Sequence, residues 1–280
     1  HATSDWLELE QQRGISVSSS ALYFDYAGKR VNILDTPGHR DFSEDTYRTL
    51  MAADSAVMLM DAAKGVEDQT RKLFQVCRLR KIPIFTFVNK MDRFGRDGLD
   101  LMSEIEEILG IDAVPANWPI GAGSDFRGVY DRLRRRVLLY SGGDHGSTRV
   151  EETVIEGEVD SDDIREALGS DYQELAENLD LIDGATEGLD EDAVRSGEQT
   201  PMFFGSALTN FAVEPFLEHF LEMAPCPDGR VSNQGRVDPV SAPFSGFVFK
   251  IQANMDPDHR DRVAFLRVCS GRFAKGETTR

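Results

Sequence analysis

The chain has 280 residues, 40% of them apolar, enough for one large α/β domain or one domain with part of another. Its net charge of −18 is uneven: residues 151–200 carry 18 Asp and Glu against two Arg, and the rest is nearly balanced. No apolar run approaches a membrane span, and three scattered cysteines (Cys77, Cys226, Cys269) argue against a disulfide framework or a cysteine-based zinc site.

The opening stretch HATSDWLELEQQRG is polar rather than signal-like. With reduced cysteines it suits a cytoplasmic compartment, and an acidic surface does not hold DNA by charge.

Residues 20–26 alternate, with Leu22, Phe24 and Tyr26 on one face. Residues 30–35 follow the Ala27-Gly28 turn, so the pair predicts a β-hairpin. Residues 43–52 predict a helix. DSAVMLMD (54–61) is an apolar run between aspartates, the form of a strand buried on both faces. Residues 66–81 place Val66, Leu73, Val76, Cys77 and Arg80 at helical spacing, and Pro83 ends that helix. PIFTFV (83–88) predicts a second buried strand. Residues 97–110 put Leu99, Met102, Ile105 and Ile108 on one stripe, with Gly110 as the cap.

Strands alternating with helices predict an α/β fold with a mostly parallel sheet flanked by helices. The rhythm breaks from about 121 to 200, which reads as an insertion holding a basic run, Arg132 to Arg136, and an acidic helical stretch. That stretch is either solvated surface or a docking face for a basic protein, and is expected to be peripheral. MFFGSA (202–207) is the last strand of the sheet. A helix over 213–223 follows, with Val213, Phe216, Leu217, Phe220 and Leu221 as its apolar face. Residues 225–243 form a linker rich in Pro and Gly. The alternating segments 244–251 and 262–271 start a separate β unit.

Four short motifs carry chemistry. Asp35-Thr36-Pro37-Gly38-His39 follows a strand at its carboxyl end, where open α/β sheets bind ligands. An Asp there can hold a water of a Mg²⁺ shell, Pro-Gly turns a backbone N–H toward a phosphate, and His39 points the same way. Asn89-Lys90-Met91-Asp92 follows the next buried strand. The Asp92 carboxylate can accept from both N1–H and the 2-amino group of guanine. The Lys90 stem can lie along the base plane, and Asn89 can bond N7 or tie loops together. Gly205-Ser206-Ala207 closes the last strand, where the Ala207 N–H can reach guanine O6. Arg13-Gly14-Ile15-Ser16 offers a hydroxyl for Mg²⁺. Each alone also fits a structural turn or cap; the ordered series is far more specific.

In that order the motifs resemble the translational GTPases, the class of the elongation-factor G domain. SDWLELEQQRGISV, LDTPGHRDFSEDTYRTL, DAAKGVEDQTRKLFQVCRLR and FVFKIQANMDPDHRDRVAFLRV are similar, within that class, to the bacterial release factor three family. The likeness runs over nearly the whole chain and weakens over 140–200. It implies a P-loop-NTPase-like G domain over 1–224, a linker over 225–243, and the start of the translation-factor β-barrel domain over 244–280. It implies GTP or GDP with Mg²⁺ as ligands.

By the same resemblance Arg13, Gly14, Ile15 and Ser16 form switch I, with Ser16 on the metal. Asp35, Thr36, Pro37, Gly38 and His39 form switch II, with Asp35 on the metal through water and His39 orienting the attacking water. Asn89, Lys90, Met91, Asp92, Ser206 and Ala207 surround the nucleotide. The implied partners are the ribosome, through its RNA and protein, and class-one release factors, whose departure after peptide release the GTPase promotes; no membrane and no DNA are implied. Elongation factor G shares two of the motifs and is the alternative; a non-catalytic interaction module is the third reading.

The phosphate-loop pattern G-x-x-x-x-G-K-[ST] is absent. The Gly28-Lys29 pair is followed by Arg30 and has Tyr23 where the first glycine belongs. The resemblance places that loop upstream of switch I. The chain is therefore expected to be a fragment without its first strand, phosphate loop and first helix. As an isolated object it is expected to be unstable or inactive and to bind GTP far more weakly than its parent.

Overall fold

A computed structural model describes residues 20–36, 43–141, 150–233, 235–241, 243–253 and 262–278. They fall into two units, one of residues 55–224 and one joining the first 54 residues to those from 225 onward.

In the second of these, β1 (Ser20–Tyr26) and β2 (Lys29–Asp35) form the expected antiparallel hairpin, in register from Ser20 opposite Asp35 to Tyr26 opposite Lys29. Ala27 (φ 48°) and Gly28 (φ 74°) are both left-handed, which a two-residue turn of the right twist requires. Helix α1 (Ser43–Leu50) belongs to the same unit.

The 55–224 unit begins with β3 (Ala56–Asp61), α2 (Asp68–Leu79), β4 (Ile84–Asn89), α3 (Gly98–Leu109) and β5 (Asp112–Pro115). The chain then leaves the rhythm for an antiparallel meander of β6 (Asn117–Ile120), β7 (Gly128–Asp131), β8 (Arg136–Ser141) and β9 (Glu151–Glu156). Helices α4 (Asp162–Leu168), α5 (Asp171–Ala185) and α6 (Glu191–Ser196) follow. Strand β10 (Gln199–Phe204) and helix α7 (Val213–Met223) complete the unit.

Strands β3, β4, β10 and β5 lie in that order in one parallel sheet, as the alternation of strands and helices predicts. Elsewhere β11 (Arg230–Ser232) pairs with β12 (Gly235–Val237), and β13 (Ser245–Ala253) with β14 (Arg262–Ser270), all antiparallel.

The core of the sheet is aromatic. Phe85, Phe87 and Phe203 are buried beside Ala116 and Val194, and α7 lays Phe216 and Phe220 against them. Ring pairs Phe85–Phe220, Phe87–Phe216 and Phe203–Phe216 meet edge-on at 4.9, 5.0 and 5.1 Å, each adding about 1 kcal/mol beyond area burial. The buried hydroxyls of Thr86 and Thr200 satisfy each other at 2.8 Å, and Thr200 also donates to the Ile84 carbonyl.

Several expectations are corrected. The apolar run of β3 predicts burial on both faces, yet Val57 and Leu59 are 40% and 65% exposed. An apolar run is buried twice only where both faces are covered, and among the described residues β3 has β4 as its single ladder partner. In α2 the buried side chains are Phe74 and Cys77, one residue on from the predicted Leu73, because the larger ring takes the core. Burial pushes the Cys77 thiol up to about 11, so it is inert packing. In α3 Met102 and Ile105 of the expected stripe are buried, joined by Leu101 and Leu109 in place of Leu99 and Ile108; Gly110 caps it in the left-handed conformation, as expected.

The acidic stretch opens with the strand β9 rather than a helix. Nor is it peripheral, since Leu189 and Val194 pack into the sheet core. Its acids also neutralise the basic run: Arg132 pairs with Asp183 and Arg135 with Glu158.

The most buried polar side chain of α7 is one the pattern missed. His219 Nε2 lies 3.0 Å from both carboxylate oxygens of Asp131, at the end of β7. Arg136 Nε and the Arg134 N–H complete the shell at 3.2 Å each. Burial alone would raise the Asp131 carboxyl, but the bonds from His219, Arg134 and Arg136 outweigh it and hold it below the ordinary 3.8.

Removing one member of such a buried pair costs about 3–5 kcal/mol, so Asp131→Ala should lower stability by about that amount in urea denaturation at pH 7. A carboxyl whose folded pKa is depressed stabilises above its unfolded value and loses that contribution as pH falls through the folded one. The gap between wild type and variant should therefore narrow progressively below about pH 4.

Candidate nucleotide-binding site

Three parallel strands end side by side in the 55–224 unit, and their last residues are polar or small: Asp61 on β3, Asn89 on β4, and Gly205 just past β10. Ligands bind at such carboxyl ends because neighbouring loops converge there.

Asn89 is the tie. Its Oδ1 accepts from the Lys90 N–H at 2.8 Å and from the Ala207 N–H at 2.9 Å, joining the loop after β4 to the loop after β10. Of the two roles open to Asn89, the structure shows this one. The Ala207 N–H expected at guanine O6 is donated to Asn89. Lys90 is left-handed at φ 71°, which turns the chain sharply out of the strand. Met91 is buried, its N–H donating to the Gly205 carbonyl at 3.2 Å and its carbonyl accepting from the Gly123 N–H at 3.0 Å.

Asp92 accepts from the hydroxyl of fully buried Ser206. Ser206 Oγ in turn accepts from the Thr209 N–H at 3.3 Å, and the Ser206 backbone exchanges both hydrogen bonds with Phe211. Asp92 thus presents an oriented carboxylate that retains free lone pairs.

Lys90 Nζ reaches back to Asp61, 2.7 Å from Oδ2. That hydrogen bond is the main reason the Asp61 carboxyl sits below its ordinary value; the Ala63 N–H adds to it. Asp61, Gly123 and Thr209 were not singled out in the sequence. Asp61 had a legible signal, a carboxylate at the carboxyl end of a buried-type strand; Gly123 and Thr209 contribute backbone groups, which no side-chain pattern marks.

The structure thus brings Asn89, Lys90, Met91, Asp92, Ser206 and Ala207 together. Asp35 ends β2 and Thr36 follows it, both in the other unit. Pro37, Gly38 and His39, and Arg13, Gly14, Ile15 and Ser16, lie outside the described residues. Among the described residues no three His, Cys, Asp or Glu side chains converge as a metal site.

The close approach of the two loops depends on Gly205, where a Cβ would stand 2.7 Å from both the Phe211 carbonyl and the Phe87 ring. Gly205→Ala should cost about 1–3 kcal/mol by overpacking. Thermal melts should show it, and guanine-nucleotide affinity should fall with it as Asn89 and Ala207 are forced apart.

Against this geometry, known proteins give a consistent answer. The family "Elongation factor Tu GTP binding domain" matches residues 1–226, and "Elongation factor G domain 2" matches residues 243–280. The chain is 58% identical over 275 residues to peptide chain release factor 3 of Microcystis aeruginosa, covering 98% of this chain and 50% of that protein. It is 59% identical over 278 residues to the protein of the same name in Symbiobacterium thermophilum, covering 98% and 52%. The chain spans about half the length of the curated relatives it matches. A crystal structure of a Thermus thermophilus protein superposes with a TM-score of 0.73 at 27% identity, over 99% of this chain and 41% of that one. The chain belongs to the elongation factor Tu GTP-binding domain family, and the relatives it resembles there are named peptide chain release factor 3.

Proposed function

We propose that the chain carries the guanine-reading part of a ribosome-dependent GTPase of translation termination, which promotes the departure of class-one release factors from the ribosome in the cytoplasm. The observation that carries this reading is the junction of the two loops: Asn89 bound to the Ala207 N–H, and Asp92 bound to Ser206. It orients the Asp92 carboxylate and ties the loops after β4 and β10 together at the strand ends. The relatives at 58–59% identity, all named for the same release factor, support the termination role. The match of residues 243–280 to domain 2 of elongation factor G favours the second reading, a translocation GTPase. A release-factor dissociation assay on terminated ribosomes, run beside a translocation assay, separates the two.

In this proposal the boundaries are a G domain over 1–224, a linker over 225–243 and the start of a barrel domain over 244–280. Asp92 accepts from N1–H and the 2-amino group of guanine, and Lys90 lies along the base. Asp35 and the Ser16 hydroxyl are hard oxygen donors of the kind Mg²⁺ takes, Asp35 through water. The ion supplies charge neutralisation at the phosphates when bound. His39 orients the attacking water, which places its effect on the transition state. The 280 residues hold no G-x-x-x-x-G-K-[ST] sequence, so this stretch by itself binds GTP weakly and turns over little.

Asp92→Asn in the full-length protein should weaken GTP binding by on the order of 3 kcal/mol, the loss of a paired, charge-assisted contact. It should favour xanthine nucleotides, which present an acceptor where guanine has a donor. Competition between XTP and GTP checks this, and an unchanged preference for GTP overturns the assignment. His39→Ala should lower ribosome-stimulated kcat while leaving nucleotide affinity nearly intact, because a group that acts on the transition state contributes little to ground-state binding. Full turnover by that variant would make His39 a packing residue.

A further inference from the structure

The sequence pattern assigns base recognition to Asn89, Lys90 and Asp92 and lays the Lys90 stem along the base plane, but it does not say what holds the stem there. A lysine is a flexible four-carbon stem, and laying it along a base costs rotamer freedom. In the structure that freedom is already restricted at both ends. The backbone of Lys90 is held in its left-handed turn by the Asn89 side chain on its N–H. Its Nζ is held 2.7 Å from Asp61 Oδ2.

Asp61 is a firm anchor rather than a chance surface partner. It lies directly opposite Asn89 in the parallel ladder, so strand register fixes the distance between them. Its Oδ1 accepts from the Ala63 N–H at 2.9 Å, which fixes the carboxylate plane. Its side chain is 17% exposed, against 45% for Lys90, so the carboxylate is sheltered while the stem stays open to a ligand.

We propose that Asp61 is a positioning residue for nucleotide binding: it acts through Lys90, whose stem it holds ready for the plane of a purine base. This rests on the guanine-reading assignment above and deepens it. The contact made by the stem is with the base plane, so it does not distinguish bases by their 2-amino group; that remains the task of Asp92. The Asp61 carboxyl is held below its ordinary value chiefly by the hydrogen bond from Lys90.

The test is a double-mutant cycle in the full-length protein, read by the dissociation rate of fluorescent GDP and IDP, the latter lacking the 2-amino group. Asp61→Asn keeps the shape and the bond to Ala63 but removes the charge. Losing a charge-assisted bond of this kind should speed release about tenfold, by the same factor for GDP and IDP. In a Lys90→Met background the same substitution should change release by less than about twofold. Asp61→Glu, which keeps the charge, should restore slow release.

A structural role for Asp61 predicts the opposite: equal effects with and without Lys90, and no rescue by Glu. Either of those results, or a changed ratio of GDP to IDP, overturns the proposal. Asp92→Asn, read by the dissociation rates of fluorescent GDP and XDP, isolates the underlying reading. If it leaves guanine preferred over xanthine, the guanine-reading assignment itself fails. If it switches the preference while the Asp61 cycle is flat, only the role of Asp61 fails.

Discussion

The arrangement at the strand ends depends on one carboxamide oxygen, Oδ1 of Asn89, which accepts two backbone N–H groups from two different loops. A backbone N–H left unpaired at such a place costs about 1–3 kcal/mol if it is shut away from water. Asn89 meets two of them at once. A side chain at a strand's last residue can do this because its own backbone is already fixed by the ladder. The consequence is a site whose parts are set before any ligand arrives. Lys90 is turned by the bond to its N–H, Ala207 is drawn toward β4, and Gly205 allows the approach because nothing larger fits between Phe211 and Phe87. Preorganisation of this kind lowers the entropy cost of binding.

Much of this was legible in the sequence, and the reasons differ by element. The convergence of Asn89, Lys90, Met91 and Asp92 with Ser206 and Ala207 is readable because two short polar segments each follow the end of a strand of one parallel sheet. The parallel sheet is readable because its strands are apolar runs separated by helical periods. What was not readable is set by partners distant in the chain. Phe74 displaces Leu73 in the core of α2 because of what faces it, not because of its own spacing. His219 sits among the apolar residues of α7, where periodicity assigns it no task. Only its fold neighbour Asp131, 88 residues away, makes it a buried hydrogen-bond partner. The place of Asp61 at a strand end was readable, like that of Asn89, but its bond to Lys90, 29 residues away, was not.

The uneven charge of the chain has a similar explanation. Residues 151–200 look in isolation like an acidic face in need of a basic partner. In the fold, part of that need is met internally: Arg127 bonds Asp171, Arg132 pairs with Asp183, and Arg135 with Glu158. Exposed pairs of this sort contribute little energy each, about 0–1 kcal/mol. Their value lies in register, because a basic run on one side and acids on the other dock the helices on the meander in one way. The acids that remain leave a surface still strongly negative, which suits solubility and repels polyanions.

The antiparallel meander of β6 to β9 also explains how the loops after β4 and β10 are kept still. Asn117, the first residue of β6, bonds the Phe204 backbone twice, its Nδ2 to the carbonyl at 3.1 Å and its Oδ1 from the N–H at 2.7 Å. A side chain thereby stands in for a neighbouring strand at the very residue that precedes Gly205-Ser206-Ala207. Trp118 packs edge-on against the Phe204 ring at 5.0 Å, and Gly98 has no Cβ because the Trp118 ring occupies that space, 2.7 Å away. On the other loop, the Gly123 N–H takes up the Met91 carbonyl. Both loops of the junction therefore lean on the antiparallel meander. An insertion joined to its host only by two chain crossings could move without consequence. This one, continuous with the β6 strand whose Asn117 bonds Phe204, supplies a hydrogen bond to Met91 and Val194 to the aromatic core, and cannot shift without moving the residues that orient Asp92 and Lys90.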